Sequence, residues 1–421
     1  MVSELLRLFL SFLQWAILLP LAYLVPKKRN LLIFPGIYKG QFVGNVKYFF
    51  IYTHRQHSAE VEYYYLTEYK SLYNELIKRN VPTLYYPSFK AIFKMLRAGI
   101  IFVDSNNWVK NFKYDFLINS RKIQLWHGIG IKKIELQLFD NKKPSILQKL
   151  QFYFKGRYPC YDIVISPSEY FTQNRFATAF NAKRIIETGL PRNDIFFAGN
   201  DELTLLGIDE RSYQKIKEAK AKKMKIILYA PTFRDTQGDA ISDGALDINQ
   251  LDRFAENNNI LFVFKFHPGP RFKKQMVELK NIINYQNSQD VYPLMALFDL
   301  LITDYSGIFM DYILLNRPLV FFAYDYEKYI MSDREIQFDY NWITPGPKCF
   351  KQQELEHVLY QILINGHDEY AEHRKEIIKI GHKYQDGLAS QRIWEFVNNE
   401  FIKQRKGVSN DRHYTSSGEL N

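Results

Sequence analysis

Nine short apolar runs, four to seven residues each, recur along the chain with helix-patterned stretches between them. The first five are residues 31–34, 100–103, 123–126, 162–165 and 184–187, and the other four are 225–229, 260–266, 300–303 and 318–322. Many are continuously apolar rather than alternating, as a strand reads when helices cover both faces of its sheet. Strands alternating with helices predict an α/β protein of parallel strands joined by crossover helices. Two series predict two sheets. The break falls in residues 199–208, which open polar and carry a glycine near each end, and a charged helical run over 210–223 follows.

The chain has 421 residues, which suits two domains of roughly 150 to 200 residues each. The expected division is a membrane-associated segment at 1–29, domains at 30–200 and 201–385, a C-terminal helix at 386–405 that crosses back to the first domain, and a polar, disordered tail at 406–421. An apolar fraction of 47%, with 33 Phe and 30 Tyr, is enough to fill both cores.

Residues 8–25 carry no charge and are followed at once by Lys27, Lys28 and Arg29. No small-residue cleavage site follows, so this is not a signal peptide. The run either just spans a bilayer or lies in its interface, with Trp15 and Tyr23 at headgroup depth, unless it packs as an apolar helix on the protein itself. Both membrane readings put the globular part in the cytoplasm, at the inner face of the membrane. The formal charge of +11 points either to an anionic partner or to a Lys-rich surface kept soluble by its charge. Cys160 and Cys349 stand far apart and suggest neither a disulfide framework nor a zinc site.

Ligands of open parallel sheets bind beyond the carboxyl ends of the strands. Four segments stand there. In Trp126-His127-Gly128-Ile129-Gly130-Ile131-Lys132, a histidine able to take a proton from an attacking hydroxyl precedes two glycines and a lysine. In Pro231-Thr232-Phe233-Arg234-Asp235, the guanidinium offers a fork matched to phosphate oxygens, or else pairs locally with Asp235. Lys265 and His267, two apart on a strand, can point at one anion. Thr303-Asp304-Tyr305-Ser306-Gly307 runs into a helix that reaches Asp311, where Ser306 either caps the helix or helps its first N–H groups hold an anion. No GxxxxGK[ST], HExxH or GxSxG is present, no Asp-x-Asp stands at a strand end to require a metal, and the basic residues form no nucleic-acid motif.

These segments, with SPSEYF, ETGLPRND, KFHP, ITDYSGIFMDYILLNRPLVFFAYD and DGLASQRI, occur in order over residues 31–396. In this the chain resembles the CDP-glycerol glycerophosphotransferase family, the enzymes of teichoic acid priming and polymerisation and of some glycerol-phosphate-containing capsules. The resemblance implies a GT-B architecture, two Rossmann-like domains facing a cleft with the CDP donor held mainly by the second, and monotopic membrane association. It also implies His127 as the base and His267 at the donor pyrophosphate. Lys265, Thr232, Arg234, Asp235, Thr303, Asp304, Ser306, Gly307, Asp311, Ser390 and Arg392 fall on the donor side, and Gly128, Gly130 and Lys132 on the acceptor side. Three positions depart from the family pattern: Gly307 stands where Ser or Thr is common, Phe233 where Trp is, and Ile129 where the family has Thr.

The expected reaction moves glycerol phosphate from CDP-glycerol to a hydroxyl of a lipid-linked or polymer acceptor and releases CMP, with no further cofactor. Three rivals remain at this point: a nucleotide-sugar glycosyltransferase of the same fold, a CDP-ribitol enzyme, and a non-enzymatic basic protein of the membrane surface.

Overall fold

The computed structural model of the chain describes residues 12, 16–18, 20–109, 112–139, 159–234, 238–266, 279–333 and 335–403. Its first half is a seven-stranded sheet: β1 (Lys28–Pro35), β2 (Glu62–Thr67), β3 (Thr83–Tyr85), β4 (Ala98–Val103), β5 (Arg121–Gln124), β6 (Tyr161–Ser166) and β7 (Ala182–Glu187). The strand order is β3-β2-β1-β4-β5-β6-β7, parallel throughout. The second half holds β8 (Lys225–Tyr229), β9 (Ile260–Phe264), β10 (Ile282–Asn284), β11 (Leu300–Thr303), β12 (Leu319–Phe322) and β13 (Lys348–Cys349). Its order, β10-β9-β8-β11-β12-β13, is also wholly parallel. Renumbered within each half, both sheets run 3-2-1-4-5-6, with one extra strand in the first. This is the doubly wound order that opens a crevice where strand direction of travel reverses, between β1 and β4 and between β8 and β11.

Five helices matter below: α1 (Gly44–Gln56), α2 (Phe89–Arg97), α3 (Glu210–Ala221), α4 (Ile248–Asn257) and α5 (Ala389–Val397). Aromatic rings join sheet to helix in the first half. Phe34 of β1 stacks on Phe102 of β4 at 5.0 Å, and Phe49 of α1 meets Phe102 edge-on at 4.7 Å. In the second half α3 and α4 begin at Asp209 and Asp247, whose carboxylates accept Ser212 N at 3.2 Å and Asn249 N at 2.9 Å. Each satisfies an N–H that has no partner within its helix.

The halves are joined by more than the linker. Lys47 of α1 is fully buried, and its Nζ donates to Thr204 O (2.7 Å), Leu206 O (2.9 Å) and Asp290 Oδ2 (2.9 Å). Tyr48 OH donates to the same carboxylate at 2.9 Å. One ammonium of the first half is thus planted in the linker and in the second half. At the far end, α5 returns to the first half. Asp194 accepts Ala389 N at 3.0 Å and Ser390 N at 2.9 Å, and His57 stacks on Trp394 at 3.9 Å.

Residues 8–11, 13–15 and 19 of the apolar run and the tail beyond 403 lie outside the described residues. Among those described, no helix is long and apolar enough to cross a membrane.

Removing one member of a buried ion pair strands the other charge in a low-dielectric interior. We therefore expect Asp290→Ala to cost about 3–5 kcal/mol in denaturant unfolding. The double substitution Lys47→Met/Asp290→Ala should recover part of that loss, because the stranded ammonium is then gone.

Candidate functional site: the junction of the two sheets

Beyond β5 the backbone turns sharply. Trp126 takes φ 50° and Gly128 takes φ 131°, with His127 between them. His127 is reachable by solvent yet surrounded by protein, as a group at the floor of a cleft is. Its Nδ1 lies 3.0 Å from Asp104 O at the end of β4. A carbonyl oxygen only accepts, so Nδ1 carries the hydrogen and Nε2 keeps a free lone pair. Desolvation, reinforced by the positive charges of Arg192 and Arg175 and opposed by the bond to Asp104 O, pulls the His127 pKa down to about 4. The ring is neutral at pH 7 and ready to accept a proton.

The turn is held from behind by residues from three elements. Asn45, in the first turn of α1, donates through Nδ2 to Leu125 O (3.1 Å) and Trp126 O (2.6 Å), and its Oδ1 accepts Arg192 N (3.0 Å). Arg192 follows β7. Its Nη1 donates to His127 O at 2.6 Å, its Nη2 pairs with Asp311, and its guanidinium lies 4.5 Å over the Tyr292 ring. Tyr292 OH donates to the same Asp311 oxygen at 2.7 Å. Asp311 is wholly buried and committed to these partners. Asp104, also buried, accepts Val46 N at 3.4 Å, and burial raises its carboxyl pKa to about 7.

Across the junction, Thr303 Oγ1 donates to Ala230 O at 2.8 Å, and Asp304 Oδ1 accepts Thr232 N at 2.8 Å. Arg234 is only 4% exposed and is spent on carboxylates. Its Nη1 pairs with Asp304 at 2.9 Å, while Nε and Nη2 form a fork to Asp325 at 2.7 and 2.9 Å. Its guanidinium therefore braces the turns after β8, β11 and β12. The helix after β11 spans Ile308–Tyr312, and Gly307 stands at its N-cap. Ser306 is half-buried, with no partner for its hydroxyl among the described residues.

The two sides come closest at Gly307 among the contacts around this turn. A Cβ on Gly307 would overlap Ile129 O and approach Gly130 Cα at 2.9 Å. Beside this contact Lys132 Nζ reaches Thr232 Oγ1 at 3.4 Å, Gln337 N donates to Ile131 O at 2.8 Å, and Lys133 pairs with Glu335 at 2.8 Å. The turn that carries His127 thus leads into a segment that rides on the second half. Gly128 is needed for its positive φ, and a Cβ there would also overlap Arg192 Nη2.

A cavity of about 360 Å³ opens at the ends of β8 and β9, lined by Tyr229, Thr232, Phe233, Lys265, Phe266 and Tyr324. Lys265 Nζ donates to Asn287 O (3.1 Å) and Gln289 O (2.8 Å), and burial lowers its pKa to about 8. Ser390 and Arg392 sit apart from this cavity, behind Asp194. Ser390 N bonds Asp194, and Arg392 pairs with Asp386 and stacks on Tyr384 at 3.6 Å. His267 and Asp235 lie outside the described residues. Among those described, no cluster of three or more His, Cys, Asp or Glu side chains could hold a metal ion.

Sequence reasoning did not single out Asn45, Asp104, Arg192 or Asp325. Three of them obey the rule that found the others, since Asp104, Arg192 and Asp325 each follow a strand. Asn45 follows no strand, since it stands in the first turn of α1.

Two parallel doubly wound sheets, with the His127 turn at their junction and a strand-end cavity in the second, give the chain the α/β architecture of a group-transfer enzyme. The model of the family described as CDP-glycerol:poly(glycerophosphate) glycerophosphotransferase matches residues 17–399, and the chain belongs to that family. A teichoic acid glycerol-phosphate transferase of Staphylococcus aureus is 30% identical over 88% of this chain and 93% of its own length. A teichoic acid poly(glycerol phosphate) polymerase of Bacillus subtilis is 29% identical over 80% of this chain, which spans 44% of that longer protein. Among solved structures, a variant of the wall teichoic acid polymerase TagF soaked with CDPG superposes with a TM-score of 0.70 at 20% identity, covering 94% of this chain and 98% of that one. At that identity the likeness is one of fold.

The Gly307 contact gives a direct test. Its φ of −68° suits any residue, so only space forbids a side chain. Gly307→Ala should destabilise the protein by about 1–3 kcal/mol, as overpacking does, and should lower kcat/KM. Gly199→Ala, where a Cβ meets nothing within 4 Å, should change neither.

Proposed function

We propose that this chain transfers glycerol phosphate from CDP-glycerol to a hydroxyl of a membrane-linked acceptor in teichoic acid synthesis, releasing CMP, on a fold of the GT-B type. The observation that carries the reading is the seating of the His127 turn, with a free Nε2, against Gly307 of the donor-side half. Family membership supplies the donor.

The acceptor oxygen bonds to the β-phosphorus of CDP-glycerol. The bond from that phosphorus to the oxygen of CMP breaks, and CMP leaves with the bonding pair. The acceptor proton passes to His127 Nε2, a contribution of about 100- to 10,000-fold. In this reading the Ser306 hydroxyl and the Lys132 ammonium meet the charge on the phosphoryl oxygens, while Lys265, whose donors go to backbone carbonyls, contributes its charge from the cavity edge. The aromatic cavity at β8 and β9 suits the flat cytosine ring. Arg234 acts through Asp304, which holds Thr232 N and so the shape of the turn.

The same reading puts the enzyme at the inner face of the bacterial cell membrane. Phe89 and Phe93, one helical turn apart on α2, are 95% and 52% exposed, with Lys90 and Arg97 beside them in sequence. Leu21, Tyr23 and Leu24 are exposed too, and Lys27 Nζ reaches Phe116 O at 3.5 Å in the short helix Lys113–Leu117 on which α2 packs. Apolar tips with basic neighbours suit an anionic lipid surface.

His127→Ala should bind CDP-glycerol and fail to turn over. Near-normal turnover would remove the histidine from the reaction. With CDP-glycerol labelled at its β-phosphorus, the label should appear in the acceptor and CMP in solution. Release of a nucleoside diphosphate would point to glycosyl transfer instead, and preference for CDP-ribitol would reassign the donor. Protonation removes the accepting lone pair, so kcat/KM falls as pH drops through the His127 pKa. That limb should lie near pH 4, well below the 6.5 of an ordinary histidine, with folding checked by circular dichroism at each pH.

A further inference from the structure

Among the described residues six basic side chains are buried: Lys47, Lys113, Arg175, Arg192, Arg234 and Arg374. Five have a carboxylate within ion-pair distance, namely Asp290, Glu68, Asp311, Asp304 and Asp368. Arg175 has none. It is 1% exposed, and its Nε and Nη1 are buried without any hydrogen-bond partner. Its main chain is well used, since Arg175 O accepts Gln137 Nε2 at 3.3 Å and Thr178 Oγ1 at 3.2 Å, but these bonds leave the charge uncompensated. A buried charge without a partner costs several kcal/mol, and the chain retains it at one particular place. Arg175 Nη2 lies 3.2 Å from where a Cβ on Gly130 would stand, and Gly130 Cα is in turn packed on Gly307. Its charge is also felt at His127. The unpaired guanidinium thus stands directly behind the only residue of the His127–Gly130 turn, besides Gly128, that has no side chain to cover it.

We propose that Arg175 is an anion-binding residue of the transfer site, its guanidinium taking a phosphate oxygen of a substrate through the opening that Gly130 leaves. The counter-charge missing from the protein is then supplied by the ligand. A guanidinium matches this ligand chemistry, because its N–H groups form a fixed fork and it sheds water more easily than an ammonium. Two substrates of the proposed transfer carry such an oxygen. One is the donor diphosphate, and the other is the phosphodiester at the end of an acceptor that already bears glycerol phosphate. The naming of these two rests on the transfer reading, whereas the existence of the anion site does not.

The test uses the full-length protein as wild type, Arg175→Met and Gly130→Ala, the last covering the guanidinium without removing it. Thermal unfolding is followed across a series of inorganic phosphate concentrations. Phosphate should raise the wild-type Tm more than that of either variant, and without phosphate Arg175→Met should be at least as stable as wild type. Equal phosphate shifts in all three proteins overturn the proposal, also where Arg175→Met is itself unstable, because Gly130→Ala then decides. In steady-state kinetics kcat/KM should fall roughly 10- to 100-fold in Arg175→Met, the range of one charge-assisted hydrogen bond. A rise in KM for CDP-glycerol assigns the site to the donor. A rise confined to an acceptor ending in glycerol phosphate, absent with one that lacks it, assigns the site to the acceptor. Unchanged kcat/KM with both overturns the assignment to the transfer site. If wild type transfers nothing from CDP-glycerol, the transfer reading fails while the phosphate shifts still decide Arg175.

Discussion

The Arg192 guanidinium is the contact on which the geometry of the site depends. It is buried, so its charge must be matched where it stands. The match comes from both halves at once: the carbonyl of His127 on one side, and Asp311 with Tyr292 on the other. Because a guanidinium is planar and its N–H groups have fixed directions, satisfying both sets fixes the distance between them. The His127 turn and the helix behind Ser306 are therefore located by a single side chain. Asn45 adds a second tie, gripping the strand-end carbonyls in front of His127 and the amide of Arg192 together.

A parallel device sets the donor side. The carboxylates of Asp304 and Asp325 arise at the ends of two neighbouring strands, where close approach would repel them. Arg234 between them turns that repulsion into a brace, and three tyrosine rings lie 5.0 to 5.7 Å from its guanidinium. Braces of this kind cost desolvation. What they return is a rigid cleft floor whose dipoles need not reorient as charge develops during phosphoryl transfer. Lys47 with Asp290 does the same for the linker, at the opposite end of the junction. Lys47–Asp290 and Arg192–Asp311 each pair a residue of the first half with one of the second, and the ring pairs Phe196–Tyr292 and Phe171–Phe338 cross the same seam.

Most strands were legible because a parallel strand covered on both faces is a short apolar word, and β1, β8, β11 and β12 all read that way. The unread ones fail that description for physical reasons. β2 carries Glu62, Tyr63, Tyr64 and Tyr65 and is only partly covered, β3 and β10 have three residues each, and β13 is a two-residue edge. At the site, the strand-end rule located the right turns but could not say which side chains in them were free. Arg234 read as a phosphate fork or a local partner of Asp235, and Asp311 fell on the donor side through the family resemblance. Here their partners come from 91 and 119 residues away, a pairing that no local spacing reveals. Ser306 read either as a helix cap or as an anion contact; the cap position falls one residue later, on Gly307, and the helix starts at Ile308.

What places His127 is almost entirely backbone. Its Nδ1 bonds a main-chain carbonyl, its own carbonyl receives Arg192, and the two preceding carbonyls receive Asn45. The ring direction then follows from the dihedral angles of Trp126 and Gly128, both at positive φ. This explains why Ile129 can stand where the resembled family carries a hydroxyl. Ile129 is fully buried, and it is its carbonyl, not its side chain, that meets Gly307. A histidine held through main-chain atoms keeps one tautomer whatever side chains vary around it.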